Sequence, residues 1–442
     1  MVLGLVAVLL FGGFIRDITY QLQSDYVERT GHLQVQRKGY FLYGSGNPAE
    51  YGIRGYEKIL SRLKDDPVLA PMLVVATPTL QFGGIAGNFA AGVSRTIYVS
   101  GVVVDEQNLM GEWNDYHRRV LRKHLTLTGT SPDAAVIGTG VARVLGLCTA
   151  LNVPNCVAIK EPSTPEASDA VMPDDIASLA ESTRGAKPAA GGASPPRIEI
   201  LAANAHGAPN VTGVNVVRAE FQGIKELDDV YVALHLAKAQ RLIFGNDPPQ
   251  VTAIALQLQH TAQLALARAR VEELLAEAKA DDLEILDYET LNPFYGQTLS
   301  MFAAIFGFIS VLIGAVVLFT ISNTMSMTVV ERTVEIGTVR ALGLRRRGVR
   351  EMFLAEGIVL GTVGCVLGIV ISIVLAWAIN ALGLTWTPPA RIEPAPLAVR
   401  VAGEYLMILG SAIGLVVVAS ASAILPATRA SRMNIVDALR HV

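Results

Sequence analysis

Glu331–Glu351, ERTVEIGTVRALGLRRRGVRE, lies between two long runs that carry no charged side chain. Upstream, no Asp, Glu, Lys or Arg occurs between Glu289 and Glu331. Downstream, none occurs between Glu356 and Arg391. A helix needs about 20 apolar residues to cross a bilayer core, and both runs supply them. Arg332, Arg340, Arg345, Arg346, Arg347 and Arg350 crowd the short connection, which the positive-inside rule assigns to the cytoplasm. The segment therefore reads as the cytoplasmic turn of an integral membrane protein.

Composition agrees. Hydrophobic residues make up 51% of the 442, as suits a membrane protein with a large polar portion. A formal net charge of −3 gives no case for nucleic acid as a partner. Four apolar spans can be placed: Met1–Ile15, Leu299–Val329, Phe353–Leu384 and Tyr405–Ala427. The first reaches only about 22 Å as a helix, so length alone also fits a signal peptide's apolar region. No small-residue cleavage pattern follows it. Ile18, Leu22 and Tyr26 then recur at helical spacing, which extends the helix as a stalk. Arg429, Arg432 and Arg440 put the C-terminus inside. The connection with Arg391, Arg400, Pro388, Pro389, Pro394 and Pro396 falls outside. Counting back, residues 16–298 are extracytoplasmic and the N-terminus is cytoplasmic.

The expected architecture is an α-helical integral membrane protein with four transmembrane helices and a large mixed α/β domain between the first two. Residues 1–27 form the first helix and stalk, residues 28–292 the external domain, and residues 293–442 the remaining membrane domain. Strand-like runs are His32–Gln36, Met72–Val75, Thr96–Val104, Arg197–Ala202, Val214–Phe221, Val251–Leu258 and Leu283–Tyr288. Helix-like runs are Tyr56–Lys64, Asp133–Leu147, Leu227–Arg241 and Thr261–Ala280; the last has an apolar stripe through Leu264, Ala267, Val271, Leu274, Leu275 and Ala278. Glu181–Pro196, rich in Gly, Ala and Pro, reads as a flexible loop or an ordinary surface insertion. Cys148 and Cys156 bracket a turn on the oxidising side, and a disulfide between them is expected. Two thiols without a nearby His do not make a metal site, and Cys365, inside the third span, reads as packing.

No catalytic motif emerges. The chain has no Gly-Lys dipeptide, hence no Walker A phosphate loop, and no H-E-x-x-H, G-x-S-x-G or C-x-x-C. His117 and His124 read as solvated, as do Asp174-Asp175 and Asp281-Asp282. The last three spans lack the midplane charge that ion-coupled transporters use. They carry small residues instead: Gly357, Gly361, Gly364 and Gly368 in the third, Gly410 and Gly414 in the fourth. Such spacing favours close helix packing, within a bundle or between protomers. In the cytoplasmic turn, Glu331 and Glu335 suit a helix start. Ile336, Val339 and Leu342 offer an apolar edge, and Gly343 a C-terminal cap. Docking in a protein groove and lying on lipid explain this pattern equally well.

The turn also resembles a family. Glu331-Arg332, Glu335-Ile336-Gly337 and Arg340-Ala341-Leu342-Gly343 resemble the E-R…E-I-G…R-A-L-G motif of FtsX-like permease domains. Pro426-Ala427-Thr428-Arg429-Ala430, with Asp437-Ala438-Leu439-Arg440, resembles the ending of the same domain. Gly31–Val35 and Asn292–Tyr295 look like the LolC/LolE subgroup. The resemblance implies a non-catalytic permease subunit of a LolCDE/MacB-type ABC transporter in the bacterial inner membrane, with a MacB-like periplasmic domain. It implies a second permease protomer, and a separate LolD/MacB-like ATPase dimer that binds the ATP and magnesium and docks on Glu331–Gly343. Energy would pass as mechanical movement to a lipoprotein, another amphiphile or an adaptor outside the membrane; this chain would bind no cofactor. An FtsX-like transmitter that activates a cell-wall hydrolase, and an ATPase-independent scaffold or sensor, are the alternatives. The resemblance also implies an amphipathic segment before the first span, so either the start lies upstream of Met1 or that segment is missing.

Overall fold

The computed structural model describes residues 1–117, 124–154, 156, 195–387 and 394–434. Asp174-Asp175, the Gly/Ala/Pro-rich loop up to residue 194, Pro388, Pro389, Arg391 and Asp437–Arg440 lie outside the described residues. The chain divides into an α/β unit, residues 24–291, and a helical unit built from residues 1–23, 292–387 and 394–434.

The chain opens with helix α1 (Val2–Thr30). In the α/β unit, the main sheet of the described residues has nine strands: β1 (Leu33–Arg37), β2 (Leu73–Asn88), β3 (Val93–Val102), β4 (Ala134–Gly138), β5 (Arg197–Ala203), β6 (Pro209–Glu220), β7 (Tyr231–His235), β8 (Ala253–Leu258) and β9 (Leu283–Asp287). Their order is β9-β1-β8-β2-β3-β7-β4-β6-β5, and β5 pairs back onto β2. The strands from β2 round to β5 thus close on themselves, which removes their exposed edges. The 16-residue β2 makes this possible: Leu73–Thr79 pairs with β8, Leu80–Asn88 with β3, and Ile85–Gly87 also with β5. Phe82, Ile97, Val99, Ile137, Ile200, Val216 and Leu234 are among the buried core side chains.

Helices α2 (Tyr56–Asp65), α3 (Val104–Gly111), α4 (Thr139–Val144), α5 (Leu236–Phe244) and α6 (Leu264–Glu277) flank the sheet. The α6 stripe is as read from the sequence, with Ala267, Val271, Leu274 and Leu275 buried. Arg270 on α6 reaches Asp66 at the end of α2 through bonds of 2.8 and 3.1 Å, and Asp66 also accepts the Val68 and Leu69 N–H groups. Arg270, then those amides, hold the Asp66 carboxyl below its usual range.

Two helix expectations change. Asp133–Leu147 holds β4 before α4, and Leu227–Arg241 holds β7 before α5. Ala134–Gly138 is buried throughout, so it shows neither period-2 nor helical patterning. The switch to helix is enforced by Asp228, a fully buried carboxylate that accepts the Thr139 and Gly140 N–H groups at 2.8 and 2.9 Å.

The helical unit holds the first part of α1 with α7 (Pro293–Glu331), α8 (Thr333–Ala341), α9 (Arg346–Ala381) and α10 (Tyr405–Arg432). The helices α1, α7, α9 and α10 run 29, 39, 36 and 28 residues and are apolar enough to cross a membrane. The chain is a membrane protein. Helix α7 buries one narrow stripe, Val317, Ile321, Met325 and Val329, at four-residue spacing. Its Phe308, Val311, Leu312, Val316 and Phe319 are exposed, as suits a lipid-facing surface.

Candidate coupling surface

Helix α7 ends at Glu331, Arg332 breaks the helical path, and α8 begins at Thr333. The Thr333 hydroxyl donates to the carbonyls of Val329 and Val330, which ties the bend together. Gly343 closes α8 at a φ of +105°, a backbone that L side chains rarely adopt. Arg345 is extended, and α9 then starts at Arg346.

The two faces of α8 differ. On the inner face Ile336 is 4% exposed and packs in a cluster with Val329, Val349, Phe353, Ala427 and Ala430. Thr333 and Gly337 are buried beside it, and the Arg340 guanidinium donates to the Met433 carbonyl. The outer face presents Glu331, Arg332, Val334, Glu335, Thr338, Val339, Ala341 and Leu342. Leu342 is 84% exposed, a large apolar side chain in open solvent. Arg345, Arg346 and Arg347 are also exposed, Arg347 paired with Glu351 at 2.8 Å.

The sequence-derived apolar edge of Ile336, Val339 and Leu342 is therefore split. Three-residue steps drift about 60° each around a helix of 3.6 residues per turn, so Leu342 points some 120° away from Ile336. The exposed apolar group is Val334, Val339, Leu342 and Leu344. Val334 and Leu344 were missed, although a helical wheel centred on Glu335 puts Val334 outside. Ile336, Gly337 and Arg340 belong to internal packing.

Behind this surface, the α9 glycines let helices approach closely. A Cβ added at Gly357 would fall 2.9 Å from Ala423 Cβ, and one at Gly361 would fall 3.1 Å from Ala419 Cβ, both on α10. Gly368 faces Leu5 of α1 at 2.9 Å, and Gly364 faces Met1 at 3.5 Å. Gly410 and Gly414 meet nothing within 4 Å. The structure joins Cys148 and Cys156, Cα atoms 5.8 Å apart, as a disulfide. Cys365 is buried, and its thiol points at the Ala412 carbonyl. His117, His124, Asp281 and Asp282 are exposed.

Comparison with known proteins bears on this geometry. Residues 301–435 match the family FtsX-like permease C-terminal, which takes in α8 and most of α7, with α9 and α10. The chain is 28% identical over 243 residues to the lipoprotein-releasing system transmembrane protein LolC of Neisseria meningitidis serogroup B, covering 53% of this chain and 56% of that one. It is 28% identical over 234 residues to the pyoverdine export ATP-binding/permease protein PvdT of Pseudomonas entomophila, covering 52% and 33%. It is 26% identical over 230 residues to the macrolide export ATP-binding/permease protein MacB of Bdellovibrio bacteriovorus, covering 50% and 32%. The chain thus spans about half or less of the length of these curated relatives.

Proposed function

We propose that this chain, which carries an FtsX-like permease domain of the LolC/LolE–MacB superfamily, is the membrane subunit of an ABC transporter and takes up energy at the outer face of α8. The observation that carries this reading is the asymmetry of that helix. Its outer face offers Val334, Val339 and Leu342, with Glu331 and Glu335 near its N-terminal end, an exposed apolar surface with acidic residues at one end that suits a groove in a protein partner. Its inner face is keyed to α9 and α10 through Ile336. A push on the ridge therefore moves packed helices, because close-packed interiors transmit displacement instead of absorbing it.

The partner is an ATPase dimer of the LolD/MacB kind, which holds ATP and magnesium in its own sites. The permease pairs with a second protomer in the bacterial inner membrane, with both termini cytoplasmic and the α/β unit periplasmic. No Asp, Glu, Lys, Arg or His lies within the apolar spans of α7 or α10, or in α9 beyond Glu356, so a charged solute has no ladder of charged partners through them. Mechanical work on a substrate already outside the membrane fits better. A lipoprotein, or another amphiphile, is the substrate class that the likeness to LolC suggests.

Co-expression with the cognate ATPase tests the reading. The two should co-purify from nanodiscs or mild detergent, and the permease should change the ATPase's turnover. A chain that purifies alone under those conditions would favour an ATPase-independent scaffold.

A further inference from the structure

Outside the α8 end (Glu331–Glu356 and Arg429–Arg432), the described residues of the helical unit carry four charged side chains: Arg16, Asp17, Arg400 and Glu404. All four are engaged with one another around one aromatic ring. Arg16 Nε donates to Glu404 Oε2 at 3.0 Å, and Arg400 Nε donates to Asp17 Oδ1 at 2.9 Å. The Tyr20 hydroxyl donates to Glu404 Oε1 at 2.8 Å. The two guanidiniums lie 5.1 and 5.4 Å from the centre of the Tyr20 ring, within cation–π range. Asp17 is 5% exposed. The backbone joins in: the Arg400 N–H donates to the Gly13 carbonyl at 3.1 Å, and a Cβ at Gly13 would strike the Arg400 carbonyl at 2.6 Å. Asn380 at the end of α9 holds the same strand of chain through both the N–H and the carbonyl of Val399.

The geometry points to a latch: Arg16, Asp17 and Tyr20 on α1 are fastened to Arg400 and Glu404 at the start of α10, so that a displacement of α10 reaches α1. This rests on the proposed function for the source of the displacement. Helix α10 runs 28 residues, about 42 Å at 1.5 Å per residue, with Pro426 inside it near the α8 end. Near one end Ala427 and Ala430 pack on Ile336 of α8; at the other stands Glu404. Apolar packing alone would let α1 slide along its neighbours, whereas two crossed ion pairs and the Arg400 N–H bond to the Gly13 carbonyl fix its register. Asp17, Tyr20 and Glu404 are positioning residues, since nothing here touches a nucleotide or a substrate.

The test uses the full chain in nanodiscs of phosphatidylethanolamine and phosphatidylglycerol, and hydrogen exchange at residues 13–23 is read. Ala430→Leu supplies the displacement by overpacking the α8 contact, and Ile336→Ala supplies a second by loosening it. Either should change exchange at those α1 amides several-fold when the latch is intact. Arg16→Glu should abolish the response, and the swap Arg16→Glu with Glu404→Arg should restore it. Asp17→Arg with Arg400→Asp is the parallel swap if the first pair impairs insertion. An unchanged response in Arg16→Glu, or swapped chains that stay unresponsive while retaining a thermal transition, would overturn the latch. No ATPase is needed, so failure of the ATPase to co-purify would count against the proposed function alone.

Discussion

The two units solve the same packing problem with different chemistry. In the helical unit, away from the Arg16–Glu404 cluster, close helix contacts are made by removing side chains: Gly357 and Gly361 meet Ala423 and Ala419, and Gly368 meets Leu5. In the α/β unit, buried polar groups set the geometry: Asp228 caps α4, Asp66 clasps Arg270, and His32 bridges strands. The difference follows from the solvent. Lipid gives helices no hydrophobic incentive to associate, so close backbone approach must provide it. A water-bathed domain can bury a polar group if each such group finds a partner.

The comparison breaks first at the helical unit's tightest contacts. Phe353 is 1% exposed in the cluster behind α8, and Phe353→Ala should destabilise that unit by about 3–5 kcal/mol, read as a drop in its thermal transition in nanodiscs.

Acid should then separate the units. His32 is buried, its Nδ1 accepting the Leu258 N–H at 3.0 Å and its Nε2 bonded to the Thr261 hydroxyl at 3.2 Å, edge-on to Trp113. Burial lowers its pKa from 6.5 to about 4, against the attraction of Asp115. The fold favours neutral His32, so its contribution is complete above pH 6.5 and fades as pH falls toward 4, where the unfolded chain takes up a proton that the folded one refuses. The loss over that window is about 3 kcal/mol. Asp66 acts in the same direction at lower pH, since its depressed pKa stabilises the fold above the ordinary carboxylate range. Denaturation of the α/β unit followed against pH should show the slope, and His32→Gln should flatten it above pH 4. Equal acid sensitivity in both units would erase the contrast.

A smaller effect sharpens it. Gly361→Leu should cost about 1–3 kcal/mol by overpacking against α10. At Gly414, where an added Cβ meets nothing within 4 Å, the same substitution should stay within about 0.5 kcal/mol. Thermal scans of the two variants check this, and equal losses would mean that Gly414 also faces a packed surface.

The units also differed in how plainly the sequence announced them. Four apolar spans and the arginine-rich turn mark the helical unit because lipid imposes one long, simple pattern. The α/β unit was harder. Strand β2 was seen only near Val75, because Pro78, Gly83, Gly84 and Gly87 interrupt its pattern. Gly84 is needed where the Leu201 carbonyl would lie 2.8 Å from a Cβ, which is where β5 closes onto β2. Strands β4 and β7, each with one parallel and one antiparallel neighbour, read as helix because their central residues are buried on both faces and show no alternation. At α8 the motif was visible but its facing was not, since Ile336 turns inward only once α9 and α10 are packed behind it. The Arg16–Glu404 and Asp17–Arg400 pairs join residues 383 or more apart in sequence, beyond the reach of any local pattern.

The central claim is that a partner ATPase grips the outer face of α8 while the inner face transmits. Binding of the cognate ATPase to the full chain in nanodiscs tests it most directly, with Glu335→Arg/Leu342→Asp compared against Ile336→Ala. The outer pair should weaken binding at least tenfold, about 1.4 kcal/mol, and leave the thermal transition unchanged. Ile336→Ala should lower the transition yet still bind. Unaltered affinity in the outer pair, with folding intact, would contradict the account.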